Sequence, residues 1–363
     1  MKTRIFKIVL LAVLSMLLLS GCAGGPIAQS TPGLSANDTH VFLSAANKIY
    51  KINLENGTEA WRYPADNTRM MTYAPVLFDN ETFIFGDMYN KLHKLDIENP
   101  QQKAWESTDA KGWYQAKVAQ SGDIIIAPNT DRNIYAFNAK DGSLLWKHED
   151  NFAFISEPLI IDDTVVISSQ NHAILFLDLK TGEEKHERLA MQGAVMAAPY
   201  YLEETGLIYV GSLGNEFIAI NAMTLTVEWR YDGSIEKLSG IWAQPIYLQE
   251  QVLFNDDKGN IVSVDPLSGK ENWVMPEQGN MLAGLAAVDE DRFIVAAEDG
   301  SIKIFDTNKK PLLQFNIEKA KIYTTPLVTD KFIIIAPVGA EYNLYAYPLE
   351  TTGMPQWTFN PAK

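Results

Sequence analysis

The nine residues Asn138-Ala139-Lys140-Asp141-Gly142-Ser143-Leu144-Leu145-Trp146 decide the fold, because the chain repeats them in variant form along its length. Asn53 to Trp61 and Asp265 to Trp273 carry the same phrase: Asn or Asp, a glycine four residues later, and a tryptophan four residues after that. Trp105, Trp229 and Trp357 close looser versions. Two intervals are double length, and degenerate copies fill them. Asp178-Leu179-Lys180-Thr181-Gly182 puts His186 in the tryptophan slot, and Asp306 to Phe315 puts Phe315 there. The slots 61, 105, 146, 186, 229, 273, 315 and 357 then recur at spacings of 40 to 44 residues. A fixed period of that length is the signature of stacked supersecondary units.

Each unit has the same inner order. A short run led by proline opens it (Pro32, Pro75, Pro158, Pro199, Pro245, Pro326), and a turn such as Asp162-Asp163 follows. Next come an apolar run such as Ile333-Ile334-Ile335 and an alternating run such as Ile134-Tyr135-Ala136-Phe137. The glycine turn then delivers the tryptophan run. Four short strands per unit with evenly spaced turn signals predict one blade of a β-propeller. No stretch after residue 22 carries a sustained helical period. The expected fold is all-β: an eight-bladed propeller of four-stranded antiparallel blades over residues 32–363. Radial packing covers both faces of each sheet, so a middle strand such as 333–335 is free to be continuously apolar. Trp61, Trp105, Trp146, Trp229, Trp273 and Trp357 are expected to wedge neighbouring blades together, and His186 and Phe315 to mark weaker seams.

The N-terminus reads as an address. Lys2, Arg4 and Lys7 precede a nearly continuous apolar run from Ile8 to Leu19, then Ser20, Gly21 and Cys22. This is a secretory signal over 1–21, too short for a membrane span of about 20 residues. Leu19-Ser20-Gly21-Cys22 resembles a bacterial lipobox, which implies lipidation of Cys22 and a flexible small-residue tether over 22–31. In a two-membrane bacterium, Ala23 after the cysteine resembles an outer-membrane sorting signal. The expected location is the periplasmic face of the outer membrane, or the outer face of the cell membrane where there is only one.

Composition excludes whole classes of function. Net charge is −15; without the three basic residues of the leader, 27 basic residues face 45 acidic ones, or −18. Such a surface repels phosphate backbones, so no nucleic-acid partner is expected. Cys22 is the only cysteine, so no disulfide within the chain and no thiolate metal cage can form. His40, His93, His148, His172 and His186 fall in different stretches, without metal-ligand spacing. Asp256-Asp257-Lys258-Gly259-Asn260 lacks the twelve-residue calcium-loop pattern and reads as a tight turn. Asp87, Glu298 and Asp299 are single acids that read as solvated loop carboxylates. No catalytic residue, metal or cofactor is assigned.

The phrase Asp/Asn-x-x-(Thr/Ser/Asn)-Gly-x-x-x-Trp, followed by a proline-led strand, resembles the tryptophan-docking repeat of quinoprotein-like propellers over roughly residues 32–361. Within that group, a single propeller behind a lipobox resembles the BamB family of β-barrel assembly lipoproteins. That resemblance implies a non-enzymatic scaffold whose partner is an outer-membrane barrel assembly protein. One alternative is a propeller that binds a small ligand or carbohydrate at its axial mouth in a single-membrane bacterium. A quinone-dependent dehydrogenase is the other; the chain lacks that family's paired cysteines and long insertions. For a binding surface, the residues just before the innermost strands stand out: Met70, Met71, Trp113, Tyr114, Met196, Trp242, Met281 and Tyr323. Met and aromatic side chains favour adaptable interfaces, so these eight are the candidate mouth. Plugging of the axis is their competing role.

Overall fold

The computed structural model describes residues 31–362, apart from 67, 80 and 235–237. The leader, Cys22 and most of the tether lie outside the described residues. Thirty-two strands form eight four-stranded antiparallel sheets, each made of four consecutive strands with neighbours in sequence hydrogen-bonded. The blades run Gly33–Tyr63, Leu77–Ser107, Ala119–Glu149, Leu159–Ala190, Tyr200–Arg230, Ile246–Met275, Ala286–Asn316 and Leu327–Phe359. They are numbered 1 to 8 below.

The core is divided among the seams. Eight apolar clusters exist, and each joins two neighbouring blades, including blade 8 to blade 1. The two middle strands of a blade are covered on both faces, which is why Ile125, Ile126 and Ala127 are all fully buried. Alternation is unnecessary where both faces meet apolar neighbours. The first strand of each blade is innermost: first strands of adjoining blades approach one another, as Ala119–Ser121 does Leu159–Ile161. Polar bonds tie this inner ring. Lys117 pairs with Glu157 at 2.9 Å, Gln244 donates to the Pro199 carbonyl, and the Thr324 hydroxyl donates to the Pro32 carbonyl.

The tryptophan docks forward onto the next blade. Indole Nε1 donates to a turn carbonyl there: Trp61 to Ile97, Trp105 to Ala139, Trp146 to Leu179, Trp229 to Pro266 and Trp357 to Leu54, all at 2.9–3.0 Å. The turn glycine therefore serves the tryptophan of the blade before it. A Cβ on Gly142 would sit 2.6 Å from the Trp105 ring, and one on Gly57 2.6 Å from Trp357. Both glycines also hold positive φ, 73° and 71°. Two requirements, left-handed backbone and an indole against Cα, thus coincide on one residue. Because no blade borrows a strand from another, Trp357 on Gly57 is part of what closes the ring.

Three seams depart from the pattern. Trp273 donates instead to Gln251 Oε1 at 3.0 Å, with Lys309 Nζ 5.9 Å over its ring. His186 is exposed and does not dock; its facing turn has Leu225, at φ 57°, in the glycine place. The third departure corrects the sequence reading of blade 7. The residue paired like the tryptophans is Leu313, opposite Ile304, just after a bulge; Phe315 lies two residues further along the strand. Lys309, at φ 69°, occupies the glycine place four residues before Leu313. Phe315 still reaches across the seam to Gly353 and lies tilted against Tyr347, ring centroids 4.8 Å apart.

Candidate functional site

The segment joining one blade to the next crosses the hairpin turns between second and third strands, always on the same face of the ring. Backbone bonds fix its register. Thr72 donates to the Ala46 carbonyl, Tyr114 to Asp87, Phe154 to Asn129, Val195 to Ser169 and Ile241 to Ser212. One residue earlier, Met71 and Trp113 accept from the turn amides of Met88 and Thr130.

That register divides the eight sequence candidates into different layers. Tyr114 and Met281 stand at the donor position and are each 1% exposed, so they are core and not mouth. Met71 and Trp113 stand one residue earlier, exposed at 41% and 48%. Met196, Trp242 and Tyr323 stand one residue later, half-buried, level with Tyr73, Gln115, Ile155 and Leu282. Met70 is half-buried beside them. The eight therefore do not form one ring.

What the register does bring together is an apolar arc on the crossover face. Met71 and Tyr89 (52% exposed) belong to blade 2 and its entry, Trp113 to the entry of blade 3, and Phe152 (50% exposed) to the entry of blade 4. In blades 4 to 8 the position of Met71 and Trp113 is held by Ala153, Ala194, Gly240, Asn280 and Lys321. Among the described residues the arc is confined to blades 2 to 4. The sequence reading passes over Tyr89 and Phe152; the available signal is an aromatic beside turn-forming residues, Asp87 and Asn90 for Tyr89, Asp150 and Asn151 for Phe152.

Beside Tyr89, between blades 1 and 2, opens a cavity of about 290 Å³ whose walls include Tyr63, Met70 and Arg69. Its floor is a charged network. His93 Nε2 meets Asp87 Oδ2 at 3.0 Å, and Nδ1 lies 3.3 Å from Glu106 Oε2. Nδ1 nevertheless has no hydrogen-bond partner, because that approach is poorly aligned. Lys91 and Lys103 both reach Glu106 at 2.7 Å. Burial alone would lower the His93 pKa, but the Asp87 hydrogen bond and the nearby Asp87 and Glu106 carboxylates outweigh it and hold it above the usual imidazole value. The same contacts, His93 first, hold the Glu106 carboxyl well below the usual carboxylate range. Burial pushes the Tyr63 phenol up.

The remaining acids have local roles. Asp87 caps its turn by accepting from the Tyr89 and Lys91 amides. Asp256 does the same for Lys258 and Asn260, as a tight turn requires. Glu298 accepts from the Tyr323 hydroxyl, and Asp299 from the Ser301 amide. Among the described residues, no group of three or more His, Cys, Asp or Glu is arranged to hold a metal ion.

Fold and docking pattern define a class: an eight-bladed propeller built from PQQ-type tryptophan-docking repeats. The family described as outer membrane protein assembly factor BamB matches residues 100–199, 162–281 and 257–362. The chain belongs to that family. An assembly factor BamB of Shewanella oneidensis is 21% identical over 252 residues, covering 55% of this chain and 63% of that protein. One from Kangiella koreensis is 22% identical, covering 65% and 51%. An uncharacterised Rickettsia conorii protein is 24% identical over 42% of this chain and 38% of its own length. The chain thus matches less than two thirds of the length of each of these relatives. The crystal structure of BamB from Moraxella catarrhalis superposes with a TM-score of 0.70 at 18% identity, over 90% of this chain and 93% of that one. A computationally designed protein, Ika8, gives 0.69 at 15%, over 88% and 96%. At such identities the two structures speak for the fold alone.

Proposed function

We propose that this chain is a non-enzymatic scaffold in outer-membrane protein assembly, holding a partner protein on the apolar arc of its crossover face. The observation that carries the reading is the exposure of Met71, Tyr89, Trp113 and Phe152 on adjoining blades. Aromatic and Met side chains of that size, clustered and wet, fit a protein interface better than scattered surface residues do. Family membership supplies the setting, and the partner is another component of barrel assembly. In this reading residues 1–21 are a signal peptide, Cys22 carries the lipid, 22–31 are the tether and 32–363 the propeller, held at the periplasmic face of the outer membrane.

The test is a mild-detergent pull-down from native membranes, with co-purifying proteins identified by mass spectrometry. Wild type should recover a barrel assembly protein in near-stoichiometric amount. Tyr89→Ala with Trp113→Ala should lose at least tenfold of that recovery without lowering the unfolding temperature. Recovery of the propeller alone, from a sample shown to contain an intact assembly complex, overturns the reading. Cys22→Ala should move the protein from the membrane to the soluble fraction.

A further inference from the structure

We infer that the cavity beside Tyr89 is a carboxylate site, filled by an acidic side chain of the docked partner. The inference rests on the partner-docking reading above and names what the partner must bring. Three observations converge on it.

The first is charge. The whole chain carries −15. Yet the cavity gathers Arg69, Lys91, Lys103 and the His93 imidazole against two carboxylates, Asp87 and Glu106. In an acidic molecule this is a local positive basin next to the apolar arc, and field lines focus in such concavities.

The second is unspent hydrogen-bonding capacity. His93, 4% exposed, forms the floor, and its Nδ1 lies 3.3 Å from Glu106 Oε2 without an aligned hydrogen bond. Arg69 has no ion pair or hydrogen bond among the described residues and stands at the rim. A guanidinium offers a fork that matches a carboxylate's two oxygens.

The third is shape. Tyr63, Met70 and Tyr89 wall the cavity, and about 290 Å³ holds one side chain and not a folded element. The occupant is therefore an Asp or Glu side chain flanked by apolar residues: its carboxylate meets Arg69 above the His93 floor, and its neighbours lie on Tyr89 and the arc. Its bonds are charge-assisted and non-covalent.

The experiment uses the full chain in mild detergent, labelled with ¹³C-histidine, and reads the His93 ring signal by NMR. The probes are the blocked peptide acetyl-Phe-Glu-Phe-amide, its Gln counterpart, and inorganic phosphate. The Glu peptide should move the His93 signal saturably. The Gln peptide should bind at least tenfold more weakly. Arg69→Gln should weaken the Glu peptide at least fivefold and leave the Gln peptide unchanged. Equal binding of the two peptides, no saturable shift, or phosphate binding tighter than the Glu peptide overturns the inference. Arg69→Gln is then carried through the pull-down. Partner recovery that survives Arg69→Gln but is lost in Trp113→Ala rejects the carboxylate site and keeps the docking face. Recovery that survives Trp113→Ala with Tyr89→Ala rejects the docking face itself.

Discussion

Replacing a turn glycine by alanine tests how the ring is held. Gly57 and Gly142 carry an indole against Cα, whereas Gly122 has φ 54° and nothing within 4 Å of where a methyl would stand. Gly122→Ala thus meets only the backbone penalty of a left-handed L-residue, about 1–2 kcal/mol. Gly57→Ala meets the same penalty and also a clash at 2.6 Å with the Trp357 ring. The indole must swing away. A buried tryptophan covers roughly 200 Å², worth about 5 kcal/mol at 25 cal/mol per Å². Losing half of that, together with the bond to the Leu54 carbonyl at about 1 kcal/mol, brings the total to roughly 4–6 kcal/mol. The gap between Gly57→Ala and Gly122→Ala should be about 3 kcal/mol in urea unfolding followed by tryptophan fluorescence. A double-mutant cycle sharpens the test. Once Trp357→Ala has removed the ring, Gly57→Ala should fall back to the cost seen at Gly122. Additive penalties, or a Gly57 variant no weaker than the Gly122 variant, would refute docking as the element that joins the blades.

Three other outcomes follow from the geometry. Trp113→Ala should change stability by less than about 1 kcal/mol while abolishing partner capture, because the ring is half in water; Trp242→Ala, from the half-buried layer, should lower stability by about 2–3 kcal/mol with capture intact. His186→Trp combined with Leu225→Gly should raise stability by about 1–2 kcal/mol in urea unfolding, by supplying the missing indole and the glycine it needs. His93→Gln should cost roughly 3 kcal/mol near pH 6, since it strands Asp87 in a buried site. The sign follows from the raised His93 pKa. Its contribution is complete below the unfolded value of about 6.5 and fades as pH climbs through the folded value. The deficit of His93→Gln should therefore shrink on the alkaline side. Glu106, whose pKa is depressed, contributes above about 4.5 and loses that contribution on acidification. Urea midpoints between pH 2 and 9 check both limbs.

The blade count is legible in the sequence because docking ties composition to spacing. An indole needs a Cα without a methyl to land on, and a turn four residues long sets the interval. The same logic misplaces Phe315. It looks for an aromatic in the slot, while the bulge places Leu313 there and lets Phe315 reach the seam from two residues on. The mouth residues fail for a related reason. Met70-Met71 and Trp113-Tyr114 are apolar doublets, and one residue of register moves a side chain from solvent to core. Only the crossover bonds, Thr72 to Ala46 and Tyr114 to Asp87, decide which member faces out. The charged cavity is invisible in the sequence because its parts come from distant phrases. His93 stands level with Tyr50 and Tyr135 on third strands, and it meets Glu106 across the blade. Composition groups Asp87 with solvated acids; at 2% exposure it is a buried turn cap and imidazole partner.

The repeat also explains how the exposed apolar arc can arise on only some blades. Each unit must keep the donor residue of its crossover buried, whether Tyr114, Phe154, Val195 or Met281, because that side chain fills a seam. The residue before it touches no seam and is free to vary. Were the exposed apolar side chains an axial plug, the need would be the same in every blade and they would be covered. Instead Met71 and Trp113 are wet, their counterparts from Ala153 to Lys321 are small or polar, and two residues on stands a separate half-buried layer of Tyr73, Gln115, Ile155, Met196, Trp242, Leu282 and Tyr323. Burial constrains the plug and the seams alike, whereas exposure of large apolar rings is tolerated by water only at about 25 cal/mol per Å² of standing penalty. An arc that incurs this penalty at the entries of blades 2 and 3, while the same position is small or polar in blades 4 to 8, fits the proposed docking role.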